Sequence, residues 1–370
     1  LLLSADTPSA AADEDIAETG AITTKHSFSP GLPGRLAGLE ISLAFTSYQS
    51  GMLNMLGSQA GHGPQLHQSA VGKPMGITID GMNGFVLVGA NTITRYRNVL
   101  NPSERIDHIF DACYMPRETW LTGGLDAHDV AVDADGQVIF VNTAFNCLAT
   151  LSPVHSFTPV WRPRFISALV NEDRCHLNGL AMEAGRPAFV TAASRSDTID
   201  GWRDRRDGGG VAIDVRSGEI VCSGLSMPHS PRVHRGRLWL LNSGTGELGR
   251  VGDNGLFEPA VFCPGFVRGL AFHDNLAFVA LSKPRHERFD GLPLDRRLAE
   301  ADSDSWCGLQ VIDLDTGTCV DWFRIDGDVI ELYDVAVMAG HLCPMAVSPS
   351  SADAFNLITI GEGPSTNTST

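Results

Sequence analysis

"HDVAVDADGQVIFVNTA", residues 128–144, alternates apolar and polar side chains, breaks at Asp-Gly, and alternates again. Period-two alternation around a turn dipeptide marks a β-hairpin with one buried face. The phrase recurs as "MGITIDGMNGFVLVGA" (75–90), "NGLAMEAGRPAFVTAAS" (178–194), "SPRVHRGRLWLLNSG" (230–244), "RGLAFHDNLAFVALS" (268–282) and "YDVAVMAGHLCPMAV" (333–347). Successive copies start 53, 50, 52, 38 and 65 residues apart. Six all-β units of roughly 50 residues predict an all-β fold, a six-bladed β-propeller.

A second repeat predicts how the ring closes. "TSYQSGML" (46–53), "VNTAFNCL" (141–148) and "LNSGTGEL" (241–248) each read as the end of one strand, a hairpin turn and the start of the next. The N-terminal part therefore enters the fold at the second strand of a blade, and "YDVAVMAG" supplies that blade's first strand. One C-terminal strand plus three N-terminal strands close the ring and remove the open sheet edges. "GVAIDVRSGEIVCSG" (210–224) and "LQVIDLDTGTCVDWFRI" (309–325) read as outer hairpins, and a helical pattern is confined to 292–302. Residues 1–35, rich in small residues and acids, read as a disordered tail, 36–348 as the propeller and 349–370 as a second tail.

The composition narrows the partners. The chain has 370 residues, 43% of them apolar, and a formal net charge of −16. That charge argues against nucleic acid and anionic membrane surfaces, both of which need a basic face. No apolar run reaches the length of a membrane span. The eight cysteines stand singly, without metal-finger spacing, and read as reduced, buried hydrophobes of a cytoplasmic protein. The first residues lack the basic start of a signal peptide and turn acidic at once.

In a propeller the first strand of each blade lines the central channel. The loop entering it shares a face with the loop joining strands two and three, so ligands are expected there. The heads of the six inner strands are Met75, His128, Asn178, Ser230, Arg268 and Tyr333, with Asp129, His176, His229, Glu331 and Asp334 beside them. His, Asn and Arg side chains cost free energy to bury unpaired, so these positions need solvent, one another or a ligand. Two long second-to-third-strand loops, 194–210 and 282–308, add Trp202, Arg203, Arg285, His286, Arg288 and Trp306. Arginine forks suit carboxylate, sulfate or phosphate. The same arginines also have acids at hand to pair with, among them Asp197, Asp200, Asp204 and Asp207.

The stretch "SDTIDGWRDRRDGGGVAIDVRSGEIVCSGLSMPHSPRVHRGRLWLLNSGTGELG" (196–249), followed by "PGFVRGLAFHDNLAFVALSKPR" (264–285), resembles a family of bacterial conserved hypothetical proteins catalogued as a domain of unknown function. The resemblance runs from about Leu39 to Met345. It implies a propeller of undetermined activity and supplies no catalytic residues. Likeness to calcium-dependent lactonase propellers is of architecture alone. Those enzymes place Asn, Asp and Glu ligands at the channel mouth, where Asp129, Asn178 and Glu331 would be the counterparts here. Oxygen ligands suit a hard divalent cation, but Arg268 in the same ring opposes one. His128 with His229 is the alternative pair, for a transition metal.

The leading expectation is a top-face pocket for a small anionic metabolite, with hydrolase- or lyase-like chemistry. His128, His229 and Tyr333 are the candidate catalytic groups. Arg268 is the candidate anion anchor, and Asn178, Arg203, Arg285, Trp202 and Glu331 are further ligand-binding candidates. The competing reading is a non-catalytic propeller scaffold for a protein or peptide. The sequence sets neither the reaction nor the oligomeric state.

Overall fold

The structure, a computed structural model, describes residues 24–59, 63–284 and 291–361. Among them, six sheets, antiparallel but for one added strand, stand around a channel. Their inner strands are Ile77–Ile79, Ala127–Val132, Leu177–Glu183, Pro228–His234, Phe266–His273 and Val335–Ala339, blades one to six in that order. Each inner strand belongs to one of the six recurring phrases. Blade six closes the ring as the sequence predicts: Val335–Ala339 pairs with Ile41–Ser47, followed by Met52–Ser58 and Pro64–Ala70.

The core lies between blades, because each sheet buries both faces against its neighbours. Between blades one and two, for example, Val86, Val88 and Ile93 pack against Val130, Phe140 and Cys147. All eight cysteines are free thiols, and seven are buried.

Two expectations change. Residues 24–35, read as part of a tail, belong to the fold. Thr24–Phe28 pairs with Thr318–Gly327 as a fifth strand on blade five, and Leu32–Gly38 is a helix. The helix buries Leu32 and Leu36 in the core shared by blades five and six. The second half of the last repeat is no inner hairpin either. Pro344–Ala346 crosses over and pairs in parallel with Ala112–Leu121, the outer strand of blade one. Blade six already takes its second strand from the N-terminal part, so the chain end is released to cover another blade's edge. The second tail holds a short helix, Ala352–Asn356, and the expected helix in the blade-five insertion spans Pro293–Glu300.

The channel is crossed by one charged clasp. Asp129 of blade two and Asp334 of blade six each accept a backbone N–H from their own strand, Val130 and Val335. Each also accepts one from a neighbouring blade, Leu180 and Ile77. Arg232 of blade four ion-pairs with both.

Candidate functional site

Above the clasp, on the face predicted to bind, a cavity of about 460 Å³ opens. Its lining comes from two sets of loops. Lys73, Met75, Asp126, His128, Asp173, His176, Met227, Arg268 and Tyr333 lie at or before the inner strands. Tyr48, Trp202, Arg203, Asp204 and Arg206 come from second-to-third-strand loops.

Local backbone geometry places the imidazoles. Asp126, His176 and Met227 each stand one residue before an inner strand, and all three have positive φ, 47°, 51° and 50°. Non-glycine residues rarely hold this conformation, and it clusters where a site over-determines the backbone. It turns the carbonyls of Asp126 and Met227 back onto the imidazoles two residues later. His128 Nδ1 lies 2.7 Å from the Asp126 carbonyl, and His229 Nδ1 lies 2.8 Å from that of Met227. A carbonyl only accepts, so the neutral ring carries its proton on Nδ1 and leaves Nε2 as the basic nitrogen. His176 is held differently. Its Nδ1 is 2.7 Å from Asp173 Oδ2, and its backbone N–H donates to Asp173 Oδ1.

Asp173 also fixes the roof. Its carbonyl accepts the Asp200 N–H, which anchors the loop that carries Trp202. Trp202 stacks on His176 with ring centroids 4.1 Å apart. It packs with Met227, Phe266, Leu292, Leu294 and Leu298, so the Pro293–Glu300 helix supports it from above. The first insertion thus lines the cavity, and the second packs behind its Trp202.

The electrostatics separate the groups by role. Burial lowers the His128 pKa below the usual imidazole value, against the pull of Asp126. Burial also holds His229 well below it, with Arg268 adding to the effect. Burial pushes the Tyr333 phenol well up, which keeps it protonated as a donor. Arg268 stays charged, with the Glu331 carboxylate 3.6 Å away and the rings of Tyr48, Phe266 and Tyr333 around it.

The structure places His128, Tyr333, Arg268, Trp202 and Arg203 in the lining of one cavity. His229 and Asn178 are buried and outside the lining. His229 Nδ1 is also 2.9 Å from the Ser243 hydroxyl, and Asn178 Oδ1 accepts from Thr191. The bonds these two side chains make run to groups of their own blades. Ser230 donates to the Arg268 carbonyl, a structural bond. The proposed oxygen ligands do not form a set: Asp129 is held by Arg232 in the clasp, and Glu331 is paired with Arg268. Among the described residues no cluster of three metal-ligating side chains occurs. Arg285, His286 and Arg288 lie outside the described residues.

Sequence reasoning placed His176 beside the site without giving it a role, and did not single out Tyr48, Lys73, Asp126, Asp173 or Arg206. Tyr48 had a readable signal: it occupies the turn of "TSYQSGML", a hairpin already assigned to the binding face.

A family model described as a domain of unknown function, DUF4915, matches residues 30–347. The chain belongs to this family. The match encloses both the N-terminal helix and the crossed-over strand Pro344–Ala346, so the closure elements are part of the DUF4915 unit. No curated protein matches the chain. Among solved structures, a chain of a nidogen/laminin complex is 10% identical with a TM-score of 0.52, over 81% of this chain and 99% of that one. Virginiamycin B lyase from Staphylococcus aureus is 12% identical with a TM-score of 0.40, over 77% and 76%. A functionally unknown protein from Desulfotomaculum acetoxidans is 10% identical with a TM-score of 0.44, over 80% and 99%. At such identities likeness speaks to fold, and the chemistry must be argued from the cavity.

Proposed function

We propose that this DUF4915 protein binds a small anionic metabolite in the top-face cavity and performs proton-transfer chemistry on it, of the hydrolase or lyase kind. The observation that carries the reading is the contact of His128 with His176, ring centroids 4.8 Å apart, each with its Nδ1 tied to an acceptor. Two oriented imidazoles beside a protonated tyrosine are acid–base machinery. His128 is the base, because its Nδ1 proton is committed and burial keeps the ring neutral. Tyr333 donates to the oxygen that gains charge.

The anionic preference rests on Lys73, Arg203 and Arg206 in the lining, together with Arg268. Asp126, Asp173 and Asp204 in the same lining oppose them, Asp200 ion-pairs with Arg203 and Glu331 offsets Arg268, so the preference is set by the balance of these charges at the mouth. A polar cavity of this size, within the few hundred Å³ usual for metabolite sites, favours this reading over a peptide-binding scaffold.

The test is thermal melting of the full chain against phosphate, sulfate and a panel of small carboxylates. A true ligand raises the melting temperature as its concentration passes Kd. The rise should be lost on joint substitution of Lys73, Arg203 and Arg206 by alanine. His128→Gln should keep binding and lose turnover of any panel member consumed. Melting curves indifferent to every anion would sink the proposal.

A further inference from the structure

The cavity wall is an unbroken arc of rings. Tyr48 meets Tyr333 edge to face at 5.7 Å, and Tyr333 meets His128 at 5.7 Å. His128 meets His176 at 4.8 Å, and His176 stacks on Trp202 at 4.1 Å. A cation caps each end: Lys73 Nζ lies 5.8 Å from the Tyr48 ring, and the Arg203 guanidinium carbon lies 4.6 Å from the Trp202 ring. Five consecutive rings from five separate chain segments are more than one base or one acid needs.

Two groups in this arc are unsatisfied. Among the described residues the Trp202 indole N–H and the Tyr333 hydroxyl are buried without a hydrogen-bond partner, in residues 7% and 6% exposed. Leaving such groups unpaired costs free energy that a ligand acceptor would recover. A site built this way discriminates strongly against analogues that lack the matching polar atom.

Resting on the reading of the cavity as an anion site, we infer that the ligand is a planar aromatic or conjugated carboxylate carrying a hydroxyl or oxo substituent. The carboxylate lies at the Trp202 end of the arc, beside Arg203 and Arg206. The flat body runs along the arc, where ring-to-ring contacts favour it over a saturated ring of the same size. The distal oxygen reaches Tyr333 and His128, in the middle of the arc. There a phenolic hydroxyl accepts from Tyr333 and donates to His128 Nε2, which has no protein partner among the described residues. A saturated aliphatic acid would leave the arc bare and Tyr333 unpaired.

Isothermal titration of the full chain with four probes tests this: 4-hydroxybenzoate, benzoate, cyclohexanecarboxylate and inorganic phosphate. The expected order puts benzoate about tenfold tighter than cyclohexanecarboxylate, the scale of one or two aromatic pairs. 4-Hydroxybenzoate should bind tighter again. Tyr333→Phe keeps the ring and removes the hydroxyl, so it should erase the advantage of 4-hydroxybenzoate while benzoate affinity persists. Trp202→Phe, a second variant that preserves the packing, should weaken both aromatic acids. Equal affinity for the aromatic and saturated acids would overturn the inference and leave the anion site standing. Binding by none of the four would overturn both readings.

Discussion

Asp129 and Asp334, at the same position of two repeated phrases ("HDVAV" and "YDVAV"), hold one guanidinium between them. Arg232 Nη1 lies 3.0 Å from Asp129, and Nη2 lies 3.5 Å from Asp334. The clasp joins blades two, four and six across the channel and closes the floor beneath the catalytic candidates. Arg232→Met would leave two buried acidic groups facing each other without their counter-charge, and Asp334, whose carboxyl burial already pushes up to about 7, would take up a proton. The expected loss is about 3–5 kcal/mol, the usual result of removing one partner from a buried pair. Urea unfolding of the variant measures it, and a loss under 1 kcal/mol would show the clasp to be dispensable.

The same positions are enforced by glycine. A Cβ at Gly76 would stand 2.8 Å from the Asp129 Cα and 2.9 Å from the His128 carbonyl oxygen. One at Gly269 would stand 2.8 Å from the Asp334 carbonyl carbon. The inner strands approach so closely because the channel is narrow and each clasp aspartate must reach the next blade. Gly76→Ala should cost roughly 1–3 kcal/mol by overpacking. It should also weaken ligand binding by displacing His128. Calorimetric melting with a binding titration reads both effects.

His229 makes stability depend on pH. Burial depresses its folded pKa well below the ordinary value of 6.5, so the folded state stays neutral where the unfolded chain takes up a proton. The stabilising effect is complete above pH 6.5 and is lost as pH falls toward the folded pKa. The slope approaches ~1.4 kcal/mol per pH unit for this residue. His229→Gln should flatten the fall in unfolding free energy between pH 6.5 and 5. An unchanged pH profile in that variant would refute the assignment.

Trp202 should couple the insertion to the site. Leu298, on the Pro293–Glu300 helix, packs in the same cluster as Trp202. Leu298→Ala should therefore reduce ligand affinity several-fold although it is not among the cavity-lining residues. The stability cost should be about 2–5 kcal/mol if the site cannot collapse. Ligand titration monitored by tryptophan fluorescence, checked against the melting temperature, distinguishes lost support from global unfolding.

The six phrases made the blades legible because a half-buried strand writes its pairing into every second residue. Closure was legible for the same reason, from "TSYQSGML" at one end and "YDVAVMAG" at the other. The last phrase misled at "CPMAV", which has strand pattern but no pairing information. Parallel addition to blade one depends on which edge is open, a property of the assembled ring. Residues 24–35 misled because their composition is tail-like, while their order comes from an edge on blade five and a hydrophobic slot between blades.

For the site, the sequence by itself determined which loops share the face that holds the cavity and that histidine, tyrosine and arginine crowd their ends. Tertiary structure decided which of these share the cavity. His128 and His229 look alike in sequence, each two residues after a backbone reversal. Yet His128 makes ring contacts with Tyr333 and His176, while His229 contacts Ser243 and Phe266. The reason is physical: a strand's period fixes the face a side chain takes, but the neighbouring blades decide whether that face meets solvent, a ligand or another side chain.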